Sequence, residues 1–236
     1  MTAREFDAAP PTLTVSDVLN FRDAGVAGLR PGVLYRSASL NTLTPEGAHR
    51  LEQLGIRTVI DLRTASERAI RPDLHHHLEL EDLHHPLLPD QGAEFSWPRT
   101  MEGTYQAMAE LGGASLAATV RRLAADDGLP TLIHCAVGKD RTGLTIAVLQ
   151  SLAGVPEADI LDDFIRSNPH LGLDTDEPVY YYDEHGNRHR SHPVTPALLH
   201  LALTHLRTSH GSLHGYLRHH GVTPAELSAV SANLRP

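Results

Sequence analysis

The stretch TLIHCAVGKDRTGLTIAVLQ, residues 131–150, constrains the fold more than any other. Strand formers run into a turn containing Gly138, and a mostly apolar helical segment follows from about Arg141 to Thr142. A helix that is apolar on nearly every side is buried, so a strand feeding directly into it reads as one unit of a layered α/β protein. GVLYR (32–36) and RTVIDL (57–62) are further short apolar or β-branched runs. Between them, in TPEGAHRLEQLG, Thr44 caps a helix, Pro45 suits its first position and Gly55 ends it. The expected fold is α/β, a three-layer sandwich with a central, mostly parallel sheet flanked by helices.

Residues 100–126 read as helical with a break at Gly112-Gly113, and VPEADILDDFIRSN sets Ile160, Leu161, Phe164 and Ile165 on one helical face. The Thr-Pro helix opening returns at Thr195-Pro196 and Thr223-Pro224, where Glu226 completes a capping box with Thr223. Residues 168–195 differ: they are rich in turn formers, His and Tyr and lack sustained periodicity. The expectation is a single domain over 1–236 with a surface insertion or lid at about 168–195, in which VYYY and RHRS could pair as a hairpin around DEHGN.

The charge balance narrows the partners. With 29 acidic against 20 basic side chains and a net charge of −9, a broad basic surface for nucleic acid is not expected, so any anion must be captured locally. No apolar run has the length of a membrane span, and MTAREFDAAPP lacks the apolar segment of a signal peptide. The expectation is a cytoplasmic protein without stable membrane insertion, with leaderless export left open. Cys135 is the only cysteine, so no intrachain disulfide forms, and an oxidised Cys135 has no second thiol in the chain to resolve it.

That one cysteine sits where chemistry is expected. A strand ending at His134 and a turn through Gly138 would leave backbone N–H groups converging at a helix start, an anion site by geometry. Arg141 adds a planar fork for two phosphate oxygens. A free thiol of pKa near 8.5 is only about 3% ionised at pH 7, and the same field would raise that fraction. Thr142 is placed to donate to the sulfur, and His134 to fix the loop. A Walker phosphate loop does not fit, because Ile133 stands at its first glycine and Asp140 after Lys139 where Ser or Thr belongs.

HCAVGKDRTG resembles the His-Cys-x5-Arg-Ser/Thr signature of protein tyrosine and dual-specificity phosphatases, in particular the bacterial atypical group. NFRDAG (20–25), LYRSASL (34–40), GIRTVIDLR (55–63) with Glu67, DDFIRSN (162–168) and GSLHGYLRHHGVTPAEL (211–227) resemble landmarks of that group in order. The resemblance implies that Cys135 attacks phosphorus to form a phosphocysteine, which water hydrolyses, while Arg141 stabilises the equatorial oxygens. The expected substrate-binding set is His134, Ala136, Val137, Gly138, Lys139, Asp140, Thr142 and Gly143, with Arg22 touching phosphate, bracing the loop or forming a structural salt bridge. Asp90 is the expected general acid, with Asp140 and Asp82 as rivals. Lys139 suits substrates with several phosphates, so phosphoinositides stand beside phosphorylated proteins.

No cofactor or metal is expected. The histidine clusters 75–77 and 84–85 read as solvated surface, since consecutive side chains do not converge. Arg63 and Glu67 are spaced to pair with each other. Two other functions compete: a rhodanese-like sulfurtransferase, and a catalytically inactive phospho-binding module.

Overall fold

The computed structural model describes residue 15 and residues 17–26, 28–92, 95–182 and 186–235. The segment MTAREFDAAPP and part of the DEHGN turn lie outside them. Strands are β1 (Arg22–Asp23), β2 (Leu34–Ser37), β3 (Thr58–Asp61), β4 (Glu81–His84), β5 (Thr131–His134), β6 (Tyr180–Tyr182) and β7 (Arg188–Arg190). Helices are α1 (Pro45–Gln53), α2 (Ala65–Ile70), α3 (Met101–Leu111), α4 (Gly113–Ala124) and α5 (Asp140–Leu152). Then come α6 (Glu157–Ile165), α7 (Ser167–His170), α8 (Pro196–Thr208), α9 (Leu213–His219) and α10 (Pro224–Leu234).

The main sheet has the order β1-β2-β5-β3-β4, with β1 antiparallel to β2 and the other pairings parallel. Central strand β5 pairs with β2 on one side and β3 on the other. Side chains alternate across a strand, and the core divides accordingly. Leu34, Ile60 and Ile133 join the large cluster built with α3–α6 and α8–α10, while Tyr35, Val59 and Leu132 join a smaller one with Leu43, Ala48 and Leu51 around α1. The layers are thus unequal: one helix with the preceding loop covers one face, and most of the helices cover the other.

Local chemistry sets the element ends. Thr44 accepts a hydrogen bond from Gly47 N at α1, and both halves of a capping box form at α10 between Thr223 and Glu226. A second capping box opens α2, between Thr64 and Glu67. Within residues 168–195, β6 and β7 form an antiparallel hairpin, Tyr180 opposite Arg190. Among the described residues no helix is long and apolar enough to cross a membrane.

Candidate active site

Strand β5 delivers Cys135 to the C-terminal edge of the parallel sheet, and α5 begins five residues later at Asp140. The loop between them turns at Gly138, whose φ of +67° suits glycine. A Cβ there would lie 2.2 Å from the Ser37 carbonyl oxygen. Gly143 serves packing instead: a Cβ would meet the Phe164 ring at 2.7 Å.

Every carbonyl from Cys135 to Lys139 faces a donor outside the loop's concavity or in the following helix. Cys135 O lies 3.2 Å from His134 Nδ1, and Ala136 O accepts from Ser39 N at 3.2 Å. Val137 O accepts from Asn20 Nδ2, Gly138 O from Asn20 Nδ2 and Arg36 Nη2, and Lys139 O from Gly143 N. In a planar trans peptide the next N–H points the opposite way, so the N–H groups of residues 136–140 converge on the concave side. Among the described residues none of these N–H groups has a protein acceptor. The arrangement is an anion cradle.

Cys135 is 2% exposed. Burial alone would raise its pKa, but the Arg141 charge and the nearby Thr142 hydroxyl and N–H outweigh it, and the thiol is held below its ordinary value. Arg141 is oriented by a bidentate pair with Glu67, at 2.5 and 2.8 Å, and by the Trp97 ring 5.4 Å from its guanidinium carbon. Burial acts against the Glu67 carboxylate, but Arg141 prevails and keeps its pKa low.

A cavity of about 950 Å³ opens over the loop. Ala136, Val137, Lys139, Asp140 and Arg141 line it; His134, Cys135, Gly138, Thr142, Gly143 and Arg22 are not part of its lining. His134 is fully buried, its Nε2 3.1 Å from Asp73 Oδ2. Burial lowers its pKa, Asp73 and Asp61 raise it more, and the net shift is upward. Arg22 does not reach the cavity: its guanidinium binds Asp163 and Ser167. Fully buried Arg36 binds the other Asp163 oxygen at 3.1 Å.

The three carboxylic acids considered for proton transfer separate clearly. Asp90 is exposed, outside the cavity lining, and accepts from Ser66 N at the start of α2, which lowers its pKa. Asp82 lies on β4 and pairs with Arg68. Asp140 lines the cavity, and its Oδ1 accepts from the Tyr105 hydroxyl at 2.9 Å. Burial, then Asp140, raises the Tyr105 pKa well above its ordinary value, so the phenol keeps its proton.

Two expectations change. Arg63 does not pair with Glu67: it precedes the cap of α2, outside the helix, and binds Asp61 and Asp73 instead. Lys139, expected as an extra cation for substrates with several phosphates, lines the cavity but is 3% exposed, and its Nζ donates to His192 O and Ser191 Oγ after the hairpin. Of the clustered histidines, His76 bonds Leu43 O, His84 bonds Arg63 O and His85 bonds Thr119 Oγ1. Among the described residues two groups bring three metal-capable side chains together, exposed His49, Glu52 and His77, and Asp61, Asp73 and His134. Arg63 already supplies cationic charge to the second.

Residues 13–236 match the model of the tyrosine phosphatase family. The chain belongs to this family. A relative from Nostoc commune, "Tyrosine-protein phosphatase", is 31% identical over 84% of this chain and 73% of its own. A second, "Triple specificity protein phosphatase PtpB" from Mycobacterium tuberculosis, is 30% identical over 89% of this chain and 94% of its own. Membership makes the protein a cysteine-based phosphatase and does not favour the sulfurtransferase and binding-module alternatives.

Sequence reasoning named the loop but gave no role to Asn20, Tyr105, Trp97 and Asp163, and paired Glu67 with Arg63 instead of Arg141. Their signals were faint. Asp163 was the clearest, an acid beside Phe164 in a helix whose apolar face is buried.

Proposed function

We propose that the protein hydrolyses phosphotyrosine, together with phosphoserine, phosphothreonine and phosphoinositide monoesters, through a phosphocysteine at Cys135. The observation that carries the reading is an oriented Arg141 and a loop of inward N–H groups at one cavity wall, with the low-pKa thiol of Cys135 buried at the base of the same loop. In the first step the S–P bond forms as the ester P–O bond breaks, and an acid protonates the leaving oxygen. In the second, water gives a proton to that same carboxylate as it attacks phosphorus, the S–P bond breaks, and thiolate and acid are both restored.

Asp140 is the acid of choice. It faces the cavity beside Arg141, with the Tyr105 hydroxyl donating to its Oδ1 and Lys139 Nζ 3.8 Å from its Oδ2, so the carboxyl is fixed where a leaving oxygen would be protonated. Asp90 is disfavoured because an exposed carboxyl of lowered pKa that caps α2 is a poor proton donor. The substrate range follows from the cavity rim, where Arg71, Arg99 and Arg190 are exposed and without a carboxylate partner among the described residues. Such a rim suits substrates with charge beyond the reacting phosphate. The hairpin tail, tied to Lys139, acts as a lid over this space. A cytoplasmic, reducing setting suits an enzyme whose only thiol must stay free.

The test is phosphate release from phosphotyrosine, phosphoserine and phosphothreonine peptides and phosphoinositides. Wild type is expected to turn over and Cys135→Ser to be inactive; a wild type that binds phosphopeptide without releasing phosphate would overturn the reading.

A further inference from the structure

The cradle works only if its peptide planes are held in one orientation, and the loop does not supply that hold by itself. Turning the Val137 and Gly138 carbonyls outward aims the Gly138 and Lys139 N–H groups inward, because each pair shares one planar trans peptide. The group that grips both carbonyls is the Asn20 amide, with Nδ2 at 3.2 Å from Val137 O and 2.8 Å from Gly138 O.

Three observations show that this grip is built rather than incidental. Asn20 is 4% exposed and holds a positive φ of 56°, a conformation uncommon outside glycine that Asn tolerates. Its amide can face only one way. Arg22 Nη1 donates to Asn20 Oδ1, and a guanidinium has no acceptor, so the NH2 group must turn to the loop. Arg22 is held in turn by Asp163, through its Nε to Oδ1 at 3.3 Å and its Nη2 to the carbonyl at 3.1 Å. The chain of contacts thus runs from α6 through Arg22 and Asn20 to the loop carbonyls.

We propose that Asn20 is a positioning residue that turns two N–H groups of the loop toward the bound phosphate and the Cys135 sulfur. The inference rests on reading the loop as the phosphate site, and it adds a residue from 118 positions away that touches neither phosphate nor sulfur. Misplacing reacting groups by about 1 Å costs on the order of 100-fold in rate, which sets the scale expected here.

The test uses the full chain with Asn20→Gly, which keeps the positive φ but lacks the amide, and Asn20→Asp, which keeps the size but presents an acceptor to the two carbonyls. Tungstate affinity, the pH dependence of Cys135 alkylation by iodoacetamide, and turnover are measured on each. Both variants are expected to bind tungstate at least about tenfold more weakly, to lose roughly 100-fold in kcat/KM, and to need higher pH for alkylation. Asn20→Asp should be the more affected; if it does not fold, Asn20→Gly decides. Folded variants with wild-type tungstate affinity and alkylation profile would overturn the inference, even with a lowered melting temperature, since a purely structural role predicts that pattern. Were wild type to release no phosphate while tungstate binding still depended on Asn20, the functional reading would fall and the positioning role would stand.

Discussion

Replacing Glu67 by glutamine removes one charge while keeping shape, and its consequences can be worked through. Wild-type Arg141 and Glu67 side chains are 9% and 15% exposed, and two hydrogen bonds join them. Removing one partner of a buried pair costs about 3–5 kcal/mol. The substituted amide would still offer one neutral acceptor, and the Trp97 ring remains, so we place the loss at roughly 2–3 kcal/mol. For a chain of this length that lowers the melting temperature by roughly 5–10 °C. The pH dependence has a definite sign. Burial raises the Glu67 pKa but Arg141 lowers it more, so the folded value lies below that of an unfolded Glu, about 4.3. Its stabilisation is fully present above the unfolded value and is lost as pH falls through the folded one. The gap between wild type and Glu67→Gln should therefore be constant near neutrality and close in acid. Thermal melts by circular dichroism at neutral and acidic pH measure it, and turnover at neutral pH should fall by roughly 100-fold as Arg141 loses its orientation. A variant that melts within about 1 °C of wild type and turns over normally would refute the claim that Glu67 orients Arg141.

Other outcomes follow from the same geometry. Iodoacetamide should alkylate Cys135 at a pH below that for a free thiol, because ionisation rises with pH and the thiol's pKa is depressed; Thr142→Val should move the profile upward. Asp140→Asn should cut kcat on phosphotyrosine peptide by roughly 10²–10⁴-fold and have less effect on an ester with a good leaving group, and Asp90→Asn should leave both nearly unchanged. Steady-state kinetics on the two substrates check this. Arg99→Gln and Arg190→Gln should raise KM for phosphoinositide while sparing kcat on a singly phosphorylated small ester, and the KM change should shrink in high salt; equal changes for both substrates would count against the cationic rim.

The insertion shows how structure reorganises a local reading. Residues 168–195 lacked periodicity, yet the tail of their hairpin supplies the carbonyl and hydroxyl that hold Lys139. The lysine's burial was unreadable because its neighbours in sequence are loop residues, whereas its neighbours in space come from 52 and 53 positions away. Arg63 and Glu67 illustrate the same limit: a spacing of four signals a pair only within a helix, and α2 begins after Arg63.

What the sequence determined alone is what short-range periodicity and spacing encode. Short apolar or β-branched runs placed β2, β3 and β5; Thr-Pro caps placed α1 and α10; and the Cys-x5-Arg spacing put thiol and guanidinium on one turn between a strand and a helix. Tertiary structure decided the partners. Arg141 pairs with Glu67 across 74 residues, and Asn20 reaches the loop because β1 pairs with β2 beside the central strand. These choices depend on which carboxylates and amides the strand order brings to one sheet edge. Burial makes the choices binding, since a guanidinium or carbonyl taken out of water must find a partner, and only the folded chain fixes which one lies within reach.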